Sequence, residues 1–437
     1  MSLERQGGWI GWAGIVRLGL VQASIGAQVM LVTSLLNRVM VVEYGFAAAV
    51  PAGLVAWHYA VQLSRPLWGQ GSDKGRRRTP WIVGGMAVLA LGALLAVQAT
   101  ILHAANPAGA MALAVLGFTL IGAGVGAAGT SMLALLASGV APERRAAAAS
   151  VTWIMMVAGI VVSAGVAGAL LDPFSQSRLL RVAAGVSASA FALTCLATWR
   201  LERRAAPVGA VRSDPPPALR EALREIFAER DARRFTVFIF VSMLAYSMQD
   251  LILEPFAGLV FAMSPGQSTQ LSGTQHGGVL LGMILAGIGG SAFKGRLPSD
   301  LRIWIVGGCL GSALALSGLA AAASFGPGWP LAANVFALGF ANGIFAVSAI
   351  GAMMGLAGSG ARTREGVRMG VWGAAQAIAF GLGGLTGALG VDFARADGMG
   401  TANAFSLIFA CEAGLFAIAA LLAVGVARNR SRKVASA

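Results

Sequence analysis

The sequence predicts an all-α, polytopic membrane protein: twelve transmembrane helices in two six-helix, pseudo-symmetric halves. Three observations carry that expectation. Of 437 residues, 57% are hydrophobic and only 11% charged, with a mean hydropathy of +0.75, which is too apolar for a domain whose surface faces water. Apolar runs of about 20 residues, the length that crosses a bilayer, recur from end to end. A stretch beginning at Leu116 is also echoed by one beginning at Leu338, near half the chain away.

Twelve runs are expected, at 15–42, 47–68, 80–102, 109–138, 147–171, 179–200, 235–262, 275–293, 301–324, 330–356, 367–391 and 402–427. The formal net charge is +14, and its placement argues for orientation, not nucleic acid. With a cytoplasmic N-terminus, the inner loops hold nearly all of the Lys and Arg, while the opposite side keeps Arg38, Arg178, Arg181 and Arg395. This positive-inside bias places both termini in the cytoplasm. Cys195, Cys309 and Cys411 each fall within a predicted span, with no disulfide or metal spacing. The first run is followed by Asn37-Arg38, not by a small-residue cleavage site, so no removable signal is expected.

The first helix ends in LLNRVMVVEYG, which sets Arg38 and Glu43 toward the outer leaflet. Arg38 either snorkels to headgroups or serves as the cationic partner of Asp250 or Glu254. The second helix carries His58 and Gln62 one turn apart; a packing histidine and a ligand are both open readings. The following loop, GQGSDKGRRR, has Gly69, then Asp73 four residues on, then Arg76 and Arg77. It resembles the loop signature of the major facilitator superfamily, although Gly75 comes one residue early. An ordinary basic inner loop is the alternative.

The internal repeat supports the same superfamily. LGFTLIGAGVGAAGTSMLALLASG (116–139) reads like LGFANGIFAVSAIGAMMGLAGSG (338–360). Arg145 precedes Trp153 by eight residues and Arg364 precedes Trp372 by eight; the next helices close on Gly168-Ala-Leu-Leu-Asp172 and Gly387-Ala-Leu-Gly-Val-Asp392. Duplication of one six-helix unit is the economical reading. The halves are expected at 1–200 and 235–437. They are joined by a cytoplasmic linker, 201–234, whose residues 218–235 read as a basic amphipathic surface helix.

The seventh helix carries YSMQDLILEPFAG (246–258), with Gln249, Asp250 and Glu254. Asp250 and Glu254 lie one turn apart on one face, and carboxylates at membrane depth normally face a bundle interior or wet cavity. Pro255 is expected to bend or interrupt the helix. His276 is expected near the outer end of the eighth helix and Gln376 in the bundle; Asn342 and Glu412 read as interhelical hydrogen-bonding groups. Arg38, Glu43, His58, Asp250, Glu254 and His276 are expected to form one cluster. Gly278 and Gly282 have the small-xxx-small spacing that allows close helix contact.

Nucleotide loops, HExxH, CxxC pairs and GxSxG elbows are missing from the sequence, so a transporter-like accessory factor is expected, not an enzyme. The segments LNRVMVVEYG, YSMQDLILEPFAG, GTQHGG, NGIFAVSAIGAMMGLA and GVWGAAQAIAFGLGGLTGALGVD resemble the PucC family, the bacteriochlorophyll-delivery branch of the major facilitator superfamily. The resemblance implies a multi-pass protein of a bacterial inner, cytoplasmic or intracytoplasmic, membrane that handles bacteriochlorophyll or a precursor. Its implied partners are light-harvesting polypeptides or a late pigment-biosynthesis enzyme. His58 or His276 is then a candidate axial ligand to the pigment magnesium; no other metal or cofactor is expected. Arg38, Glu43, His58, Gln62, Gln249, Asp250, Glu254, His276 and Gln376 would line the pigment or substrate cavity. Two alternatives stay open: a proton-coupled porter of a small amphipathic solute using Asp250 and Glu254, and a non-catalytic anchor for a pigment enzyme.

Overall fold

The computed structural model describes residues 10–65, 68, 77–141, 144–202, 230–291, 301–357 and 365–435. They are helical, with no strand among the described residues. Helix α1 spans Trp12–Met30 and continues as π-helical turns over Leu31–Leu36 and Val39–Glu43. Then come α2 (Ala49–Val61), α3 (Thr79–Leu102), α4 (Pro107–Gly139), α5 (Arg145–Leu171) and α6 (Gln176–Thr198). The second set is α7 (Arg230–Phe261), α8 (Pro265–Ser291), α9 (Leu301–Phe325), α10 (Leu331–Ala357), α11 (Glu365–Ala396) and α12 (Thr401–Ala435).

Among the described residues ten helical stretches are long and apolar enough to cross a membrane; α2 and α8 are not among them. In α2 the α-helical part lasts only 13 residues before a 3₁₀ turn at Gln62–Ser64. In α8 the first half is rich in Gln, Ser and Thr. That helix also starts ten residues before the run expected at 275–293, which puts His276 three turns inside it and not near its outer end. The cause is local. Ser264 and Gln267 form a capping box, with Ser264 N donating to Gln267 Oε1 (2.9 Å) and Gln267 N to Ser264 Oγ (3.1 Å), and Pro265 follows the cap. A polar first half hides such a start from a hydropathy reading. Helix α7, in turn, runs through Pro255 without interruption. Of the loop signature, Gly69, Asp73 and Arg76 lie outside the described residues, as does most of 218–235.

Helix ends find partners, as they must in an apolar medium. Asn106 caps α4 by accepting from Gly109 N (2.9 Å). The N–H groups of Arg78 and Thr79 at the start of α3 donate to the Glu202 carboxylate. Arg17 Nε donates to the Ala197 carbonyl (2.8 Å) at the end of α6, where cation and helix dipole agree.

The chain divides into two compact units. Unit one comprises Met1–Phe46, Gly53–Arg212 and Met263–Gly273; unit two comprises Ala47–Ala52, Ser213–Ala262 and Thr274–Ala437. Within unit one, α1 packs on α5 and α6, and α3 on α4 and α6; within unit two, α7 packs on α11 and α12, and α9 on α10 and α12. Each pair recurs six helices later, so the repeat seen in the sequence is also a repeat of packing. Close crossings rest on glycine. In unit one, a Cβ on Gly124 would lie 2.6 Å from Leu89 N. In unit two, Gly278 and Gly282 of α8 meet the Phe336 and Phe340 carbonyls of α10, and Gly339 and Gly343 of α10 meet the Gln275 and Val279 carbonyls of α8. With no hydrophobic drive between helices in lipid, such backbone contact is what holds them.

Candidate functional site

Of the polar residues singled out by sequence, Arg38, Glu43, His58 and Gln62 belong to unit one and Gln249, Asp250, Glu254, His276 and Gln376 to unit two. In unit one, the π-helical turns of α1 carry Arg38, which is 1% exposed. It is enclosed by protein and does not snorkel. Its guanidinium forms a salt bridge with Glu43, five residues on, and donates through Nη2 to the Met263 carbonyl (2.7 Å). The five-residue spacing suits the widened turn, because π-helical winding brings i and i+5 onto one face. Nearby, Ser34 and Ser272 share a hydrogen bond of 2.9 Å.

On α2, His58 is buried and engaged at both ring nitrogens. Nδ1 bonds the Val55 carbonyl (2.8 Å), so it carries the proton, and Nε2 accepts from Gln62 Nε2 (2.8 Å). Gln62 Oε1 then accepts from Arg65. The three form a continuous polar chain along α2. Gly122 of α4 allows this helix to sit close: a Cβ there would be 2.6 Å from the His58 carbonyl.

In unit two, Gln249 and Glu254 of α7 are buried, while Asp250 is half-buried. A fourth residue joins them. Phe256 of α7 packs tilted against Phe405 and edge-to-face against Phe409 of α12, with centroids 5.5 and 5.0 Å apart. One heptad back along α7 is Gln249, and one turn further along α12 is Glu412. Since the helices run antiparallel, Glu412 comes to lie against the Gln249 backbone and within electrostatic reach of Asp250. Glu412 is fully enclosed, and neither amide atom of Gln249 has a hydrogen-bond partner. Glu412 thus adds a carboxyl beside the polar stretch of α7, on the same helix pair that Phe256, Phe405 and Phe409 join. Sequence reading took Glu412 as an interhelical hydrogen-bonding group and did not link it to Asp250, because the pairing spans 162 residues and no local spacing announces it.

His276 and Gln376 are half-buried in the same unit. Asn342 is an interhelical group as expected: its Oδ1 accepts from Ser312 Oγ of α9 at 2.7 Å. The arrangement offers hydrogen-bond donors, acceptors and one histidine of intermediate exposure in an otherwise apolar interior. Among the described residues no set of three or more His, Cys, Asp or Glu could hold a metal ion.

Comparison with known proteins bears directly on this arrangement. The family model described as PUCC protein matches residues 35–431. The chain belongs to the PUCC family. Among its relatives, the "Bacteriochlorophyll synthase 44.5 kDa chain" of Rhodobacter capsulatus is 53% identical over 421 residues, covering 96% of this chain and 97% of the relative. "Protein PucC" of Cereibacter sphaeroides is 30% identical over 439 residues, covering 95% and 92%. The fold is that of the major facilitator transporters. A bacterial homologue of the human lysosomal transporter Spinster, solved in an inward-facing and occupied conformation, superposes with a TM-score of 0.70, covering 95% of this chain and 96% of that one at 14% identity. PUCC membership thus holds for nearly the whole chain and takes in the segments bearing Arg38, His58, Asp250, His276 and Glu412.

Proposed function

We propose that this PUCC protein handles bacteriochlorophyll or a late precursor as cargo in a photosynthetic bacterial membrane, serving light-harvesting assembly or the last steps of pigment synthesis. The observation that carries the reading is family membership across residues 35–431, on a fold whose interior holds buried polar side chains. It acts without a chemical step of its own, with both termini in the cytoplasm by the distribution of Lys and Arg. The two six-helix halves are joined by residues 201–234. Light-harvesting polypeptides or a late biosynthetic enzyme are the partners in this reading.

Pigment magnesium takes one axial ligand, and a neutral imidazole supplies it well. His58 is a poor candidate, because its acceptor nitrogen already bonds Gln62. His276 on α8 is half-buried, so a pigment ring can approach it where it cannot reach the enclosed His58. Gln249 and the carboxyls of Asp250 and Glu254 offer hydrogen bonds to ring carbonyls and esters. Likeness to solved transporters favours a second reading, proton-coupled export or import of an amphipathic solute. In that case Asp250 works with Glu412, which lies within electrostatic reach of it.

The test is purification in mild detergent from a phototrophic host, with near-infrared absorption and identification of co-purifying proteins. Stoichiometric bacteriochlorophyll is expected, reduced strongly by His276→Leu and little by His58→Leu. A pigment-free protein, together with a deletion strain of normal pigment content and normal light-harvesting complexes, would overturn the reading.

A further inference from the structure

The end of α6, within unit one, carries a backbone feature that its sequence makes costly. Arg200 stands in the left-handed region (φ 56°), just past a helix end, where glycine or asparagine is usual because a Cβ is strained there. The turn is closed by two hydrogen bonds, Trp199 N to the Leu196 carbonyl (3.3 Å) and Leu201 N to the Thr198 carbonyl (3.1 Å). This corner turns Leu201 inward, buried beside Gly14 of α1, and leaves Arg200 exposed. A strained residue at such a place calls for a reason in its side chain or its surroundings. Among the described residues Arg200 has no carboxylate partner. The neighbouring Glu202 already accepts from the Arg78 and Thr79 N–H groups at the start of α3.

A second guanidinium stands at the same corner. Arg17 of α1 donates through Nε to the Ala197 carbonyl and through Nη2 to the Trp199 carbonyl. It thereby offsets the negative end of the α6 dipole, and its Nη1 has no acceptor among the described residues. The surroundings are those of a membrane boundary. Trp199 (66% exposed) and Trp12, at the start of α1, are both exposed, and tryptophan settles at headgroup level. Leading away from the corner along α6, Leu196, Ala192, Ser189, Ala188 and Gly185 form one exposed face, and a Cβ on Gly185 would meet nothing within 4 Å. Beyond Leu196 the side chains on that face are small, so it forms a low strip. From 185 to 196 the helix rises about 16 Å, against about 15 Å of hydrocarbon in one leaflet.

We propose that Arg17 and Arg200 hold the phosphate of an anionic phospholipid, with one acyl chain laid along the small-residue face of α6. Guanidinium donors suit a phosphate, whose oxygens accept several charge-assisted hydrogen bonds. The low strip accommodates a hydrocarbon chain, and two cations without a free carboxylate beside them favour a lipid of net negative charge over a zwitterionic one. The left-handed corner then has its reason: it aims Arg200 outward at headgroup level while Leu201 anchors the chain beside α1.

Thermal melting of the full chain in a neutral detergent tests this, with tryptophan fluorescence as readout and phosphatidylglycerol or phosphatidylcholine added. Phosphatidylglycerol is expected to raise the melting temperature by about 5 °C and phosphatidylcholine by less than about 2 °C. Arg200→Gly separates binding from folding. It relieves the left-handed backbone, so without lipid it should melt no lower than the parent, yet it should lose about half or more of the phosphatidylglycerol shift. Arg200→Lys keeps the charge and should keep most of that shift. Should the glycine variant fail to fold, Arg200→Gln removes the charge alone and is expected to show the same loss. Equal shifts from the two lipids, an undiminished phosphatidylglycerol shift in the Gly and Gln variants, or an equal shift from inorganic phosphate without lipid would overturn the proposal. No pigment enters the measurement, so its failure is separable from failure of the pigment reading.

Discussion

Glu43→Gln isolates the salt bridge with Arg38, which is 2% exposed in its side chain against 30% for Glu43. Removing one partner of a fully buried ion pair costs about 3–5 kcal/mol, because the other charge is left desolvated and unpaired. Two features lower that figure here. Glu43 is partly solvated, so its attraction is partly screened, and Arg38 keeps its bond to the Met263 carbonyl. The expected loss is therefore about 2–3 kcal/mol, which for a unit of this size corresponds to about 5–10 °C in melting temperature. Intrinsic tryptophan fluorescence during a thermal ramp in detergent reads it directly. The double variant Arg38→Met with Glu43→Leu removes both charges and should recover most of the loss, since apolar replacement of a buried pair is often neutral. If Glu43→Gln melts within about 1 °C of the parent, or if the double variant is worse than the sum of the singles, the bridge is not what holds the π-helical end of α1.

Three further outcomes follow from particular contacts. Gly282→Ala forces a methyl group into the Phe340 carbonyl and should cost about 2–3 kcal/mol, seen as early melting, where Gly287→Ala, with open space around it, should be near neutral. Asn342→Leu leaves the Ser312 hydroxyl buried without its acceptor and should cost about 1–3 kcal/mol; adding Ser312→Ala should restore part of that, and a melt showing simple additivity would disprove the coupling. Glu412→Gln keeps the size of a fully enclosed side chain while removing its ability to carry a charge in an apolar setting. Its melting temperature should hold or rise, and a fall of more than about 3 °C would mean that the carboxylate is held by a partner.

Family and fold were legible early because they rest on features spread along the whole chain. Hydropathy marks spans one by one, and duplicated segments announce themselves by offset. The polar residues at membrane depth were equally visible, since a Gln, His or Asp among Leu and Ala is conspicuous on any reading. Their partners were harder. Arg38 pairs with Glu43 through π-helical turns, a winding that no residue spacing in LLNRVMVVEYG forecasts. His58 was found as a candidate ligand, yet its acceptor nitrogen turns out to be occupied by Gln62 one turn on. The early start of α8 was missed because its first three turns are polar, and a hydropathy scan ends where Gln and Ser begin.

Composition and hydropathy by themselves pointed to a bilayer as solvent and to a chain of apolar helices, and segment resemblance to the family, because burial of apolar surface in a bilayer is a sum over residues and needs no knowledge of neighbours. Tertiary structure alone decided that Glu412 lies within electrostatic reach of Asp250, that the side-chain amide of Gln249 is enclosed without a hydrogen-bond partner, and that Asp172 and Asp392 close on the starts of α8 and α2. Those contacts join residues from about 90 to 340 positions apart. Hydrogen bonds and ion pairs act over a few ångströms, so only the packing of helices settles which charges meet.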